Sequence, residues 1–401
     1  MISIIEILTF CAASIILMVD LTFAIELIIG ILSGILKKST EHAKGLYALD
    51  IAILVPAHNE AQTIANTIPF LLGIDDGMRR VTVIADNCTD QTAGIVASSG
   101  IHVINRHDPV RRGKGYALAF GRNFLRENPP SVVIVLDADC TLSAADIDSI
   151  AKRCIDEQRP IQSSYWFRPE LSGTPIVQMS NFALMVKNHF RQRGAVAIGA
   201  SAILTGSGMA FPWAIFDQLA LETGNIVEDL MLTIELIESK ITVGFAPFAQ
   251  TLSNSSSEIG TSAQRARWEG GFLKTSYQSS RRLIYHGIRS GYWPSIWLGV
   301  HLMVPPFTLL VMLNAISIFF ILAMAIALEL RGLFFLAGIL SVAMSVMFIG
   351  LICVWKIEGY RHLSFRAITK VPGYVVWKLA MYGSLLVQKG PMTWQRTDRN
   401  H

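Results

Sequence analysis

This sequence is short of charge. Asp, Glu, Lys and Arg make up 16% of 401 residues and hydrophobic types 52%, whereas a soluble domain carries roughly a quarter charged residues. A disordered chain is excluded, because disorder pairs low hydrophobicity with high net charge. The formal net charge of +4 is weak and spread along the chain, so nucleic acid is not an expected partner. Cysteine is sparse too, with five residues. Cys11, Cys88, Cys140, Cys154 and Cys353 form no CxxC pair and no metal-type spacing with histidine, which argues for free thiols in a reducing compartment rather than a disulfide framework. No GxxxxGK[ST] occurs, and that disfavours ATP hydrolysis on a phosphate-binding loop. What remains is a membrane protein with one sizeable water-soluble domain, on a chain long enough for two or three domains.

The apolar residues gather at the two ends. Ile2 to Leu36 is almost unbroken hydrocarbon, longer than the roughly 20 residues that span a bilayer. It has no basic start and no small-residue cleavage site, so a spanning helix is expected rather than a removed signal peptide. Lys37, Lys38 and Lys44 follow and place the downstream side in the cytoplasm. A second stretch, Trp297 to Leu328, is interrupted by Pro305-Pro306. Its spanning part is expected over Met303 to Leu328, with SGYWPSIWLGV before it at the interface, where Trp and Tyr are favoured. A third span is expected over Leu333 to Trp355. Asp20 and Glu26 lie inside the first stretch, where charge is costly. They are either functional, or face other helices, or the true span is shorter and Glu26 lies near its end. The expected organisation is a membrane helix at 1–36, a cytoplasmic catalytic domain at 50–282, an interfacial segment with two membrane helices at 293–356, and a basic cytoplasmic tail at 357–401. Within the tail, VPGYVVWKLAMYGSLLVQK reads as a helix lying on the inner leaflet. The protein is therefore expected in the plasma (inner) membrane.

The middle changes character. IAILVPA, VTVIA, HVINR and VVIVLDA are short, β-branched runs that read as buried strands. NEAQTIANTIPFLLG and DQTAGIVASSG read as the helices between them, with glycine at the end of each. Strand, helix and strand in alternation predict an α/β fold with a mainly parallel sheet, whose ligands sit at the carboxyl ends of the strands. Chemistry-bearing residues stand at those ends: Pro56-Ala57-His58-Asn59-Glu60, Ala85 to Asp90, and Asp137-Ala138-Asp139-Cys140. Any one of these loops is explained as a turn or a helix cap. Three at successive strand ends are not.

Asp137 and Asp139 emerge together from an apolar strand. An Asp-x-Asp there suits a hard divalent ion that also binds substrate phosphates. Gly113-Lys114-Gly115 opens a helix, a placement that suits a phosphate and equally a solvated charge run. Downstream, Leu204 to Met209 is a small-residue turn, Glu228-Asp229 opens a helix, and Gln264, Arg267 and Trp268 share one helical face at i, i+3 and i+4. For Asp229 alone, an acid complementing the helix dipole explains as much.

In this order the motifs resemble those of membrane-bound family 2 glycosyltransferases, the group of cellulose, hyaluronan and chitin synthases and bacterial exopolysaccharide transferases. The likeness covers about Asp50 to Arg282 with its flanking membrane segments. It implies a GT-A fold, a nucleotide-sugar donor (most often UDP-linked), Mg²⁺ or Mn²⁺, and inversion at the anomeric carbon. By motif it implies that Pro56, Glu60, Asp86, Lys114 and Asp137 hold the nucleotide sugar and that Asp139 binds the metal. Asp229 would be the general base, and Gln264, Arg267 and Trp268 would line the diphosphate and acceptor site. No good FxVTxK-like segment follows the membrane helices, and about three spans are visible. Both points favour single transfer to a lipid-linked or saccharide acceptor among membrane lipids. The Gln-x-x-Arg-Trp motif keeps open a processive synthase that extends and exports its polymer, with an export or polymerisation partner subunit.

Overall fold

The computed structural model describes residues 4–36 and 49–387. Lys37, Lys38 and Lys44, which set the expected orientation, and the last part of the basic tail lie outside the described residues. The chain divides into two units. One contains 49–169 and Ser201–Phe272; the other contains helix α1 (Ile4–Leu36), Glu170–Ala200 and 273–387. The range 50–282 expected for the catalytic domain thus includes Glu170–Ala200, a segment grouped with the apolar helices.

The first unit is built on an eight-stranded sheet among the described residues. Its strands are β1 (Ile51–Ala57), β2 (Arg79–Asp86), β3 (His102–Arg106), β4 (Val132–Val135), β5 (Cys140–Thr141), β6 (Ile161–Phe167), β7 (Met209–Pro212) and β8 (Gly244–Ser253), in the order β3-β2-β1-β4-β7-β6-β8-β5. The first four in that order are parallel, β7 runs antiparallel to both its neighbours, β6 and β8 are parallel, and β5 closes the edge antiparallel. Helices α2 (Ala61–Ile74), α3 (Thr92–Ser99), α4 (Lys114–Leu125) and α5 (Ala144–Asp156) connect the early strands. The central strands are apolar throughout and buried along their length, as strands covered on both faces must be. Gly100 ends α3 in the left-handed region at φ 89°, as its sequence predicts. Gly73, expected to end α2, instead lies inside it, and the chain leaves through extended Asp75.

The second unit is helical. Helix α6 (Pro175–Met185) runs through a π-helical turn (Val186–Arg191) into α7 (Gln192–Ala197). After the short α8 (Trp213–Phe216) and α9 (Glu228–Glu238) of the sheet unit, the long α10 (Glu258–Ser290) passes from the sheet unit into this one at Leu273. There follow α11 (Trp293–Met303), α12 (Phe307–Ala327), α13 (Arg331–Ile357), α14 (Phe365–Ile368) and α15 (Val371–Val387). Among the described residues three helices, α1, α12 and α13, are long and apolar enough to cross a membrane. Helix α12 begins four residues later than Met303, at Phe307, because Pro306 lacks an N–H and starts a new helix there.

Contacts along α1 act as a depth scale. Phe23 stacks on Phe307 at the start of α12 (5.3 Å), Asp20 accepts a hydrogen bond from Asn314 (2.8 Å), and Ala13 packs with Ile321 and Ala325. The two helices are therefore antiparallel. The 21 residues of α12 extend about 31 Å, close to the roughly 30 Å of a hydrocarbon core. Level with them, α1 runs only from Phe23 back to Ile4. Glu26 lies nearly one turn beyond, which favours the shorter-span reading of its position.

Glu26 is fully buried there, and its carboxylate accepts from Arg191 (Nη2 at 2.6 Å, Nε at 2.8 Å) and Trp297 (2.9 Å) and meets His301 Nδ1 at 2.6 Å. Backbones touch to make this possible. A Cβ on Gly194 would stand 1.8 Å from the Glu26 carbonyl oxygen, and one on Gly30 would stand 1.9 Å from that of Phe190, so small residues set the helix spacing. Removing one partner of a buried ion pair strands the other. Arg191→Leu is therefore expected to destabilise the solubilised protein by about 3–5 kcal/mol, seen as a lower Tm. Glu26→Leu with Arg191→Leu is expected to recover most of that loss; a double variant no better than the single one would refute this account.

Candidate active site

Parallel pairing places the sequence motifs on one edge. β1 is flanked by β2 and β4, with Pro56 opposite Ile84 and Leu54 opposite Val135, so Pro56 to Glu60, Asp86 and Asp137 leave neighbouring strands at their carboxyl ends. β7 runs antiparallel to β4 with Met209 opposite Val135. That register delivers the turn before it, Thr205 to Gly208, to the same edge.

The first two loops are tied to each other. Asp86 is buried and its carboxylate accepts from Arg106 Nη1 at 2.6 Å. Burial raises its pKa, with the Arg106 hydrogen bond and charge opposing. His58 Nδ1 meets the Asp86 carbonyl at 2.6 Å, and Asn59 Oδ1 accepts from the Thr89 N–H at 2.7 Å. The Glu60 N–H donates to Thr92 Oγ1 at 2.8 Å, and Asp90 Oδ2 accepts the Ala61 N–H at 3.1 Å. Asp90 thus ties the second loop to the first turn of α2.

Lys114 is the hub. Its Nζ donates to Asp137 Oδ1 (2.5 Å) and the Gly206 carbonyl (2.6 Å) and stands 3.8 Å from Glu228 Oε1. Burial opposes its charge, yet Asp137 and Glu228 hold its pKa above the ordinary lysine value. Gly206 has φ +84°, and a Cβ there would lie 3.3 Å from Lys114 Nζ and 3.5 Å from Asp229 Oδ2. Lys114, Asp137, Gly206 and Asp229 therefore converge. The glycines beside Lys114 serve close packing. A Cβ on Gly115 would stand 2.4 Å from the Leu221 carbonyl oxygen, and Gly113 (φ +128°) lies against Gly224. They let the start of α4 meet the segment that leads into Glu228.

Asp137 and Asp139 are held from behind. The Asp137 N–H donates to Ser207 Oγ (3.0 Å), and Ser253 Oγ donates to Asp139 Oδ2 (2.6 Å). Gln162 donates to the Ser207 carbonyl (2.9 Å) and accepts the Thr205 N–H (3.0 Å), fixing the glycine turn. Asp137, Asp139 and Cys140 bring one ligand atom each to within 4.8 Å of one another. Two carboxylates and a thiol form a donor set that fits a divalent ion.

On α10, Gln264 and Arg265 are buried while Arg267 and Trp268 are half-buried. The Arg265 guanidinium lies 5.1 Å from the Trp268 ring and 5.4 Å from that of Phe167. A Cβ on Gly271 would stand 2.9 Å from Val227 Cγ1, so this stretch of α10 packs beside the start of α9.

Sequence reasoning missed Gln162, Ser253 and the pairing of Glu228 with Lys114. The signal for the first was present: Gln162, Ser163 and Ser164 are polar residues in a strand buried at every position, and buried polar groups require partners.

Together, a mixed sheet parallel on its motif-bearing side and an Asp-x-Asp at its central edge define the GT-A fold. The chain matches the model of glycosyl transferase family group 2 over residues 132–353, and that of glycosyl transferase family 2 over 52–208. It belongs to glycosyl transferase family group 2. It is similar in fold to a mannosyltransferase of Pyrobaculum calidifontis solved with GDP-mannose and Mn²⁺, with TM-score 0.51, 15% identity, and coverage of 93% of this chain and 98% of that one. Among curated proteins it is 29% identical over 153 residues to an uncharacterized protein of Methanocaldococcus jannaschii (37% of this chain, 61% of that protein). It is 33% identical over 96 residues to the glycosyltransferase AglJ of Haloferax volcanii (24% of this chain, 29% of that protein). The chain thus spans less than two thirds of either curated relative.

Glu228 yields a measurable consequence. Burial and the neighbouring Asp229 raise its pKa well above the ordinary carboxylate value, against the pull of Lys114. As pH climbs past the ordinary value, the unfolded chain gives up this proton while the folded chain still holds it, so folding stability falls with rising pH. Glu228→Gln removes that penalty. Its Tm is expected to match wild type near pH 4 and to exceed it increasingly towards pH 8. A Tm difference that stays constant with pH would contradict the assignment.

Proposed function

We propose that the protein is an inverting, metal-dependent glycosyltransferase. In this reading it moves a sugar from a nucleotide-sugar donor, UDP-linked by the family resemblance, to a membrane-associated acceptor in polysaccharide or glycolipid synthesis. The reading rests chiefly on the convergence of Lys114, Asp137 and Asp229 at Gly206. Pro56, Glu60, Asp86, Lys114 and Asp137 hold the nucleotide sugar, and Asp139 holds Mg²⁺ or Mn²⁺. Bound there, the ion supplies positive charge to the departing diphosphate. Asp229 takes the proton of the acceptor hydroxyl as its oxygen attacks the anomeric carbon and the bond to the diphosphate breaks. Arg267 supplies a further cation to that leaving group, with Gln264 and Trp268 lining the acceptor side. Lys114 neutralises Asp137, and Glu228 keeps its proton, so the anionic donor is not repelled. Direct displacement needs no nucleophilic serine or cysteine.

The catalytic unit is assigned to the cytoplasmic side of the plasma membrane, and the acceptor to a lipid-linked or saccharide molecule. Three apolar helices among the described residues favour single transfer over a polymer channel within one chain. The Gln264-x-x-Arg267-Trp268 spacing supports the processive alternative, which would require a partner subunit for export.

The test is nucleotide release by the purified protein in lipid, with Mg²⁺ or Mn²⁺, membrane-lipid extract as acceptor, and a panel of UDP-sugars plus GDP-mannose. Metal-dependent release with one donor is expected, falling by about 10²–10⁴-fold in Asp229→Asn. The size of the product decides between single transfer and polymerisation. Failure to bind any nucleotide would refute the proposal.

A further inference from the structure

We infer that Cys140 is a third ligand of the divalent ion at the Asp137–Asp139 group, so that this site favours thiophilic ions over Mg²⁺. The inference rests on the metal-dependent reading above and adds a donor from this chain's own sequence.

The geometry comes from the sheet edge. β5 pairs antiparallel with the end of β8, setting Cys140 opposite Ser253. Ser253 Oγ holds Asp139 at Oδ2 (2.6 Å), while Cys140 Sγ stands 3.6 Å from Oδ1. An ion ~2.3 Å from a sulfur and ~2.1 Å from an oxygen separates the two by ~3.6 Å at a tetrahedral angle. The ligand atom of Asp137 belongs to the same group, within 4.8 Å, and Lys114 engages that carboxylate through Oδ1. Cys140 is fully buried beneath the two acids, whereas buried Cys154 belongs to no such group among the described residues.

Chemistry then sets the preference. Carboxylate and water oxygens alone suit Mg²⁺ and Mn²⁺, while a thiolate draws Co²⁺, Zn²⁺ and Cd²⁺. The thiol releases its proton to solvent when it coordinates. Mn²⁺, the softer of the two family ions, is favoured over Mg²⁺.

The experiment titrates the purified full chain in lipid, with UDP or GDP present, using Co²⁺. One equivalent is expected to produce a near-ultraviolet thiolate-to-cobalt band that survives Cys154→Ser and is lost in Cys140→Ser. Competition against Mn²⁺, followed by electron paramagnetic resonance, is expected to show Co²⁺ affinity falling about 10–100-fold in Cys140→Ser, with a smaller loss for Mn²⁺. X-ray absorption of the Co²⁺-loaded wild type gives a reading that needs no variant: a sulfur shell supports the inference and an all-oxygen shell overturns it. Mn²⁺ binding without a thiolate band, or a band that persists in Cys140→Ser, also overturns it and leaves the thiol as a hydrogen-bond donor to Asp139. No Mn²⁺ binding at all, even with nucleotide, would overturn the metal-dependent reading itself.

Discussion

A single ammonium group organises the catalytic edge. Lys114 joins the loop after β4, the glycine turn before β7 and the start of α9, three separate segments that carry acidic groups or carbonyl dipoles. Without that cation, Asp137 and Asp229 would be like charges gathered beside the protonated Glu228 in a partly desolvated place, a costly arrangement. Around it the supporting residues make sense. Gly113 and Gly115 let its helix approach the chain before Glu228, Gly206 leaves room for it to reach its acceptors, and Gln162 fixes the turn whose carbonyl it binds. The site is pre-assembled by electrostatics as much as by the sheet.

The helical unit meets the same problem with opposite signs. There the buried charge is a carboxylate, Glu26, and the cation is Arg191, delivered by the π-helical turn and assisted by Trp297 and His301. Both units bury an ion and surround it with donors or acceptors from several segments. Such pairs add little net stability but are expensive to break, so they specify which helices meet more than how tightly.

Much of this was legible in the sequence because it follows from local rules. The strands IAILVPA and VVIV, the Asp-x-Asp after the latter, and the left-handed Gly100 each depend on a few adjacent residues. Residues that act across the sheet were harder to read. Ser253 reaches Asp139 only because β5 folds back on β8, and Glu228 meets Lys114 only because Gly115 allows a backbone contact. The helix after β6 misled for a similar reason. Glu170–Ala200 has ordinary amphipathic composition, and its grouping with the apolar helices depends on Gly30 and Gly194 fitting backbone to backbone, a fit with no periodic signal. Helix α12 starts at Phe307 rather than Met303 because Pro306 breaks the helix there, a break to which hydropathy is indifferent.

The route of the chain has a consequence for biosynthesis. After β6 the chain leaves the sheet unit for Glu170–Ala200, then returns to form β7, β8 and the first half of α10. On a ribosome moving from the N-terminus, the sheet unit has all its strands by Ser253 and is complete at Phe272. At that moment α1, α6 and α7 are already made, while α11, α12 and α13 are not. Arg191 and Glu26 can find each other early, but Trp297 and His301 join them only afterwards. The apolar bundle is therefore the last part to close, and the sheet unit cannot be obtained as one continuous fragment without carrying helices whose partners come later in the chain.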